Sequence, residues 1–352
     1  MTAFAPRLIA WQAAHGRHGL PWQASRDPYR IWLSEVMLQQ TQVATVTPYY
    51  IRFLARFPDV AALAAAPLED VMALWSGLGY YARARNLHRA ARQVMEKHGG
   101  RFPAARAELA ELPGIGRSTA AAIAAFANQE RAAILDGNVK RVLCRVFGIE
   151  GPPGEKATET RLWALAESLL PDDGKDIGAY IQAQMDLGAT LCTRGHPQCA
   201  ACPLADECVA RREGRVAELP TPRPRKILPR RRQRFAVLML DDKVLLERRP
   251  PVGLWGGLLG LLEIPPDVGI ARWAERFGLD CGQPELLPAL THTFTHFILE
   301  LESWRIPLRA FPRMLAEPTH EWLALDRIES AALPTAVRKI LTALAGTVMQ
   351  KV

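Results

Sequence analysis

Across residues 211–234 the hydrophobic rhythm of the chain changes, and no other feature limits the fold as much. Upstream, from Trp11 to about Lys97 and again beyond Ser118, apolar residues recur at helical spacing. Downstream, Phe235 to Leu240, an Asp241-Asp242 turn and Val244-Leu245-Leu246 read as a β-hairpin. The stretch between is RREGRVAELPTPRPRKILPRRRQR. It sets ten Arg and Lys against Glu213 and Glu218, a surplus equal to the +8 of the whole chain. Proline and like charge together predict an exposed tether, and a tether this positive suits phosphate contact. A chain of 352 residues can bury two cores. The expected organisation is an all-α region over 1–210, a basic linker over 211–233 and an α/β domain over 234–352. No apolar run reaches the length of a membrane span.

Within the helical region, Leu112 to Arg145 carries two devices. The first, over 112–118, is the tight turn Leu112-Pro113-Gly114-Ile115-Gly116 opening an Ala-rich helix from about Ser118. Glycines on both sides of Ile115 are expected to allow positive φ and a close approach. Backbone N–H groups at such a turn, followed by a helix N-terminus, form an anion site, and Gly114 and Gly116 would hold a phosphodiester there. The second device is Asp136-Gly137-Asn138 ahead of a helix from Val139 to Phe147. Asp136 in that position caps the helix, and the positive field there is expected to keep it ionised. Taken alone, each device is also an ordinary helix connection.

A second carboxylate stands upstream. One helix is predicted from Ile31 through SEVMLQQTQVATV, placing Glu35 among Trp32, Val36, Met37 and Leu38. A carboxyl in apolar surroundings tends to hold its proton near neutral pH, which suits a general acid. Gln39, Gln40, Thr41 and Gln42 then form a polar cluster able to read base edges. Further on, Gly77-Leu78-Gly79-Tyr80-Tyr81 precedes a helix bearing Arg83, Arg85, Arg89 and Arg92. Paired tyrosines serve as core or as a wedge between bases; beside a hairpin suited to phosphate, Tyr80 is assigned the wedge.

Cys192, Cys199, Cys202 and Cys208 fall within 17 residues. Without an export signal such a cluster argues for a metal site rather than disulfides. Four thiolates suit tetrahedral zinc or a [4Fe–4S] cluster, and spacing alone leans to zinc. Cys144 and Cys281 are expected to be structural thiols. After the hairpin of the C-terminal domain come a glycine-rich loop at 253–257 and a short helix over 270–277. A strand from Thr291 to Trp304 with a polar interruption and a closing helix over 333–344 complete it.

Together these motifs, in this order, resemble the MutY-type adenine DNA glycosylases of the helix-hairpin-helix, endonuclease III superfamily. The resemblance spans nearly the whole chain and implies a multidomain fold. An all-α helix-hairpin-helix region with an iron–sulfur loop at 192–208 would be followed by a C-terminal α/β Nudix-like domain. The cysteine spacing is similar to the superfamily's cluster loop, which turns the metal expectation to [4Fe–4S]. The implied activity is monofunctional: extrusion of adenine mispaired with 8-oxoguanine or guanine, then cleavage of its N-glycosidic bond in base excision repair. Glu35 would protonate the adenine at N7, Asp136 would support the cationic sugar, and Asn138 would position it. Trp22 and Leu38 would line the adenine pocket. Gln40, Thr41 and Tyr80 would meet the oxidised guanine, and Phe294, Thr295 and His296 in HTFTHF would check it. Serine is usual where Thr295 stands. Related strand-cleaving lyases carry a lysine two residues after the second hairpin glycine, and here that position is Ser118. The Nudix-like region lacks the Glu-rich REx2EE run of pyrophosphate hydrolases: between Gly257 and Gly278 only Glu263 and Glu275 occur. The competing expectations are an endonuclease III-like glycosylase and lyase for oxidised pyrimidines, and an iron–sulfur redox sensor that binds DNA. The expected partner is double-stranded DNA carrying A:8-oxoG or A:G. The expected state is a monomer in the cytoplasm beside bacterial DNA.

Overall fold

Six consecutive residues after the hairpin, Ala120 to Ala125, are all at most 2% exposed. A helix buried all round needs small side chains if others are to pack against every face, and alanine supplies them at the best helix propensity. The computed structural model, which describes residues 4–224, 227–251, 253–312, 315 and 317–349, builds twelve α-helices ahead of the sheet, this one among them. These are α1 (Phe4–His15), α2 (Pro28–Leu38), α3 (Val43–Arg56), α4 (Val60–Ala65), α5 (Leu68–Trp75) and α6 (Ala82–His98). They continue as α7 (Arg106–Leu109), α8 (Arg117–Asn128), α9 (Gly137–Phe147), α10 (Lys156–Ser168), α11 (Ile177–Thr190) and α12 (Val209–Arg212).

The chain divides into two units. One holds residues 1–65 and 86–225; the other holds 66–85 together with 226–352. The helical region expected over 1–210 is therefore interrupted. Residues 66–85 group with the C-terminal part because Ser76 and Tyr81 donate to the Leu333 carbonyl at 2.9 and 3.2 Å. Such pairings lie more than 250 residues apart along the chain and leave no trace in local periodicity.

In unit 1 an apolar core cluster draws Leu8, Ala121, Leu143, Leu162 and Ile181 from α1, α8, α9, α10 and α11. Two expectations change here. The single helix expected from Ile31 to Val46 is broken: α2 ends at Leu38, Gln40 takes φ 58°, and α3 begins at Val43. A polar run with one residue in the left-handed region cannot continue a helix. The basic linker is also less free than composition suggests. Leu219 is 2% exposed within the core, and Arg215 pairs with Glu150, Glu213 and Glu218. Arg230 to Gln233 already belong to a strand. Arg225 and Lys226 lie outside the described residues.

Unit 2 contains a mixed sheet of β1 (Arg230–Leu240), β2 (Lys243–Arg248), β3 (Leu259–Gly260), β4 (Leu262–Ile264), β5 (Glu285–Leu286), β6 (Leu290–Thr293), β7 (Ile298–Pro307) and β8 (His320–Ala324). Its main path runs β3-β2-β1-β7-β5. β1 and β7 pair in parallel from Arg230↔Ile298 to Met239↔Pro307. Phe235 to Leu240 is buried without alternation, as a central strand covered on both faces should be. Two helices, α13 (Ile270–Arg276) and α14 (Thr335–Met349), accompany the sheet, and α5 belongs to the same unit. The strand expected from Thr291 to Trp304 is two strands, β6 and β7, turning at Phe294 to Phe297. Cys144 is fully buried in unit 1, and Cys281 forms a β-bridge with Leu308.

Candidate active site

The hairpin turn is set by local chemistry. Leu112 and Ile115 are buried, and the Ile115 N–H closes the turn on the Leu112 carbonyl at 3.1 Å. Only Gly114 takes positive φ, at 81°; Gly116 lies in extended backbone as the N-cap of α8. A Cβ on Gly114 would also stand 2.8 Å from Asn86 Cβ, so space and conformation both require glycine there. Ser118, one residue into α8, is occupied structurally: its Oγ accepts the Leu135 N–H at 3.0 Å. That bond steadies the chain one residue before Asp136.

Asp136 caps α9, its Oδ1 accepting the Val139 N–H at 2.8 Å. It opens on a cleft of about 1010 Å3 in unit 1, and Glu35 from α2 opens on the same cleft. Trp22, Leu38, Thr41 and Asn138 line it as well. Trp22 is held edge-on against Tyr50, ring centroids 5.4 Å apart. Gln42 faces the cleft, whereas Gln40 stands exposed in the turn between α2 and α3.

The two carboxyls differ in their surroundings. Glu35 is pushed up to about 7, by burial first and then by the charge of Asp136. Asp136 is also raised by burial, against the Val139 and Asn138 N–H groups and the charges of Arg141 and Lys140. The helix field thus does not by itself keep Asp136 in the usual carboxylate range; burial outweighs it. Yet Asp136 has the donors that stabilise a negative charge, and Glu35 is raised by both of its influences. When the pair holds one proton, it belongs on Glu35.

Several cleft residues escape motif reading. Asp186 on α11 is fully buried and accepts from the Arg17 N–H and Nε at 2.8 and 2.7 Å and from Gln182 Nε2 at 2.8 Å. Arg17 and Gln182 line the cleft. The one available signal was a charge inside the apolar run of α11, since a buried aspartate needs a partner. Arg141 donates to Asn138 Oδ1 at 2.9 Å, to the Gly188 carbonyl at 2.6 Å and to the Cys192 carbonyl at 2.7 Å.

All four cysteines of the 192–208 loop line one small pocket, with Val142, Val146, Leu187, Leu191 and Val216 beside them. Burial raises the thiols of Cys202, to about 11, and Cys208, and the neighbouring cysteines add to the effect. Arg145, 3% exposed, donates to Cys192 Sγ at 3.4 Å and to the carbonyls of Thr193 and Leu219 at 2.7 and 2.8 Å. Among the described residues, no three His, Cys, Asp or Glu side chains stand close enough to hold a single metal ion.

In unit 2, Tyr80 is 51% exposed with φ 49°, and the Arg83 guanidinium stands 5.5 Å from its ring centre. At the β6–β7 turn Thr295 and His296 are exposed, while Phe294 stacks on Phe297 with centroids 4.7 Å apart. The two glutamates between Gly257 and Gly278 lie on different elements. Glu263 lies in β4 and accepts from Gln233 at 2.5 Å and from Arg249, and Glu275 is exposed on α13.

Residues 33–168 match the HhH-GPD superfamily base excision DNA repair protein family, and residues 234–343 match the NUDIX domain. Fold and cleft thus define a helix-hairpin-helix base excision repair protein carrying a Nudix-like second domain. The adenine DNA glycosylase of Buchnera aphidicola subsp. Baizongia pistaciae is 35% identical over 340 residues, 96% of each chain. The Homo sapiens adenine DNA glycosylase is 33% identical over 415 residues, covering 98% of this chain and 74% of its own. The chain belongs to the adenine DNA glycosylase family. Among solved structures, a thermostable thymine-DNA glycosylase is 28% identical with a TM-score of 0.54, covering 60% of this chain and 96% of its own. A non-covalent Endonuclease III-DNA complex shares the fold of the same share of the chain at 23% identity and a TM-score of 0.51.

Proposed function

We propose that this adenine DNA glycosylase acts on adenine opposite 8-oxoguanine or guanine in duplex DNA, as a monomer and without strand cleavage. The observation that carries the reading is the shared cleft: two half-buried carboxyls in one cavity, only one of them supplied with backbone donors. An extruded adenosine seated there meets Trp22 and Leu38 on its base. Glu35 delivers its proton to N7, which turns adenine into a neutral leaving group. Asp136, held by the N-terminus of α9, offers negative charge to the sugar as its C1′ becomes cationic. This is the division of labour of two-carboxylate glycosidases. Asn138, fixed by Arg141, borders the sugar. The Gly114 turn and the start of α8 hold phosphate through backbone N–H groups, offsetting the few kcal/mol that base extrusion costs. In unit 2, Tyr80 and the Phe294-Thr295-His296 turn read the orphaned guanine.

Lyase chemistry requires an amine nucleophile, and the motif position holds Ser118. Lys140 lies near Asp136 in sequence, but its Nζ pairs with Glu159 at 2.5 Å. Cys192, Cys199, Cys202 and Cys208 fit a [4Fe–4S] cluster, in which each iron takes one thiolate. The surroundings of Cys202 and Cys208 favour the neutral thiol, so metal binding must displace those protons, and the buried Arg145 supplies the countercharge such an anionic group needs. Bound, the cluster would cross-link the loop and fix its fold against α9.

The test is base release from duplexes bearing A:8-oxoG, A:G or thymine glycol, for the wild type and for Asp136→Asn. Asparagine keeps the cap, so the variant should fold while adenine release falls roughly 10²–10³-fold. Unchanged release would remove Asp136 from the mechanism. Scission at thymine glycol without alkali would favour the lyase reading instead.

A further inference from the structure

The two groups assigned to the oxidised guanine, Tyr80 and the turn at Phe294 to His296, belong to the same unit although 214 residues of sequence separate Tyr80 from Phe294. A continuous set of contacts joins them. Arg85, on the first turn of α6, donates through Nη1 to the Gly256 carbonyl at 2.7 Å. The preceding residue, Trp255, is 8% exposed and held at φ 56°. Its ring lies 6.3 Å from that of His292 and 6.0 Å from that of Phe294, and His292 meets Phe294 edge-on at 4.5 Å. Phe294 stacks on Phe297, over which the Arg231 guanidinium sits at 4.5 Å. On the other side, Ser76 and Tyr81 donate to the Leu333 carbonyl, and Arg338 donates to Ser76 Oγ at 2.8 Å.

Two residues along this path are strained. Tyr80 and Trp255 are bulky residues in the left-handed region, a conformation that persists only where surroundings enforce it. The Arg85–Gly256 bond joins the backbone segments that carry these two residues.

We propose that Arg85 is a positioning residue for specificity: by tying the Tyr80 loop to the Trp255-Gly256 turn, it sets the geometry between Tyr80 and the Phe294-Thr295-His296 turn. Preference for 8-oxoguanine then depends on a bond that touches neither base. The proposal rests on the reading that these two groups meet the oxidised guanine.

The experiment uses the full-length, cluster-loaded protein and the variants Arg85→Leu and Arg85→Lys, with thermal melting to confirm folding. Hydrogen exchange without DNA is followed at residues 77–81 and 292–297. The leucine variant should exchange faster in both segments, and lysine should restore part of the protection. Faster exchange in one segment only, or in neither, overturns the link. Single-turnover adenine release is then compared opposite 8-oxoguanine and opposite guanine. The preference should fall about tenfold in Arg85→Leu, with the rate opposite guanine unchanged. Equal loss on both substrates would overturn the specificity role. A wild type without any preference for 8-oxoguanine would instead sink the assignment of the guanine-reading groups. The exchange measurement would then still judge the mechanical link. If Arg85→Leu does not fold, Arg85→Lys alone decides: wild-type exchange with a lowered preference contradicts the proposal.

Discussion

Glu35 illustrates how one carboxyl can serve chemistry at a cost to stability. Its ordinary value of 4.5 is raised to about 7 by burial and by Asp136. The folded protein therefore binds this proton more tightly than the unfolded chain does. Below pH 4.5 Glu35 is neutral in both states and has no effect; the penalty grows between about 4.5 and 7 and is fully present above. Glu35→Gln is expected to stabilise the protein above pH 7, by on the order of 3 kcal/mol, and to leave stability at pH 4 unchanged. Urea melts at the two pH values check this. The same group, acting as an acid, should make adenine release fall about tenfold per pH unit above about 7, and the glutamine variant should lose that dependence. A wild-type profile flat from pH 6 to 9 would remove Glu35 from the proton transfer. The acid was legible in the sequence because its neighbours Trp32, Val36 and Met37 announce burial. The raised Asp136 was not, since a capping motif reveals the helix field but not how deeply the cap is buried.

At the scale of elements, α9 and α11 approach so closely that one position admits no side chain. A Cβ on Gly188 would stand 2.6 Å from Asn138 Cβ and 3.2 Å from its Cα. Gly188→Ala should therefore displace the start of α9, and with it Asp136 and Asn138. Destabilisation of about 1–3 kcal/mol is expected, together with a fall in adenine release larger than that stability loss explains. Melting and single-turnover rates measured on the same samples separate the two effects. Elements with strong periodicity were well marked: α8, α9 and the β1–β2 hairpin fall close to where apolar spacing and turn residues place them. The break between α2 and α3 was hidden because Gln39 to Gln42 are acceptable helix residues whose turn is dictated by tertiary position. The contacts of Arg141, Arg145 and Asp186 were hidden for another reason. Their long-range bonds join segments 47 to 169 residues apart, and a single sequence offers no pairing signal over such a distance.

Over the whole molecule, units and sequence blocks do not coincide. The change of rhythm near residue 230 locates the start of the sheet, but the membership of residues 66–85 depends on partners that local pattern cannot name. Truncation after Gln233 is thus more than removal of a tail. It should raise hydrogen exchange throughout 76–85 and lower discrimination for 8-oxoguanine more than it slows adenine release. Equal loss of both would argue against a recognition role for the C-terminal part. The same membership bears on how the protein is made. Ser76, Tyr81 and Arg85 leave the ribosome long before Gly256, Leu333 and Arg338 exist, so during synthesis their segment waits without its native bonding partners. Closing contacts across 171 to 262 residues is a late event in such a chain, and Trp75 and Met72 travel with it. Nascent-chain stalling anywhere before Leu333 would leave that segment open to chaperones and proteases, however well the helices around the cleft have already folded.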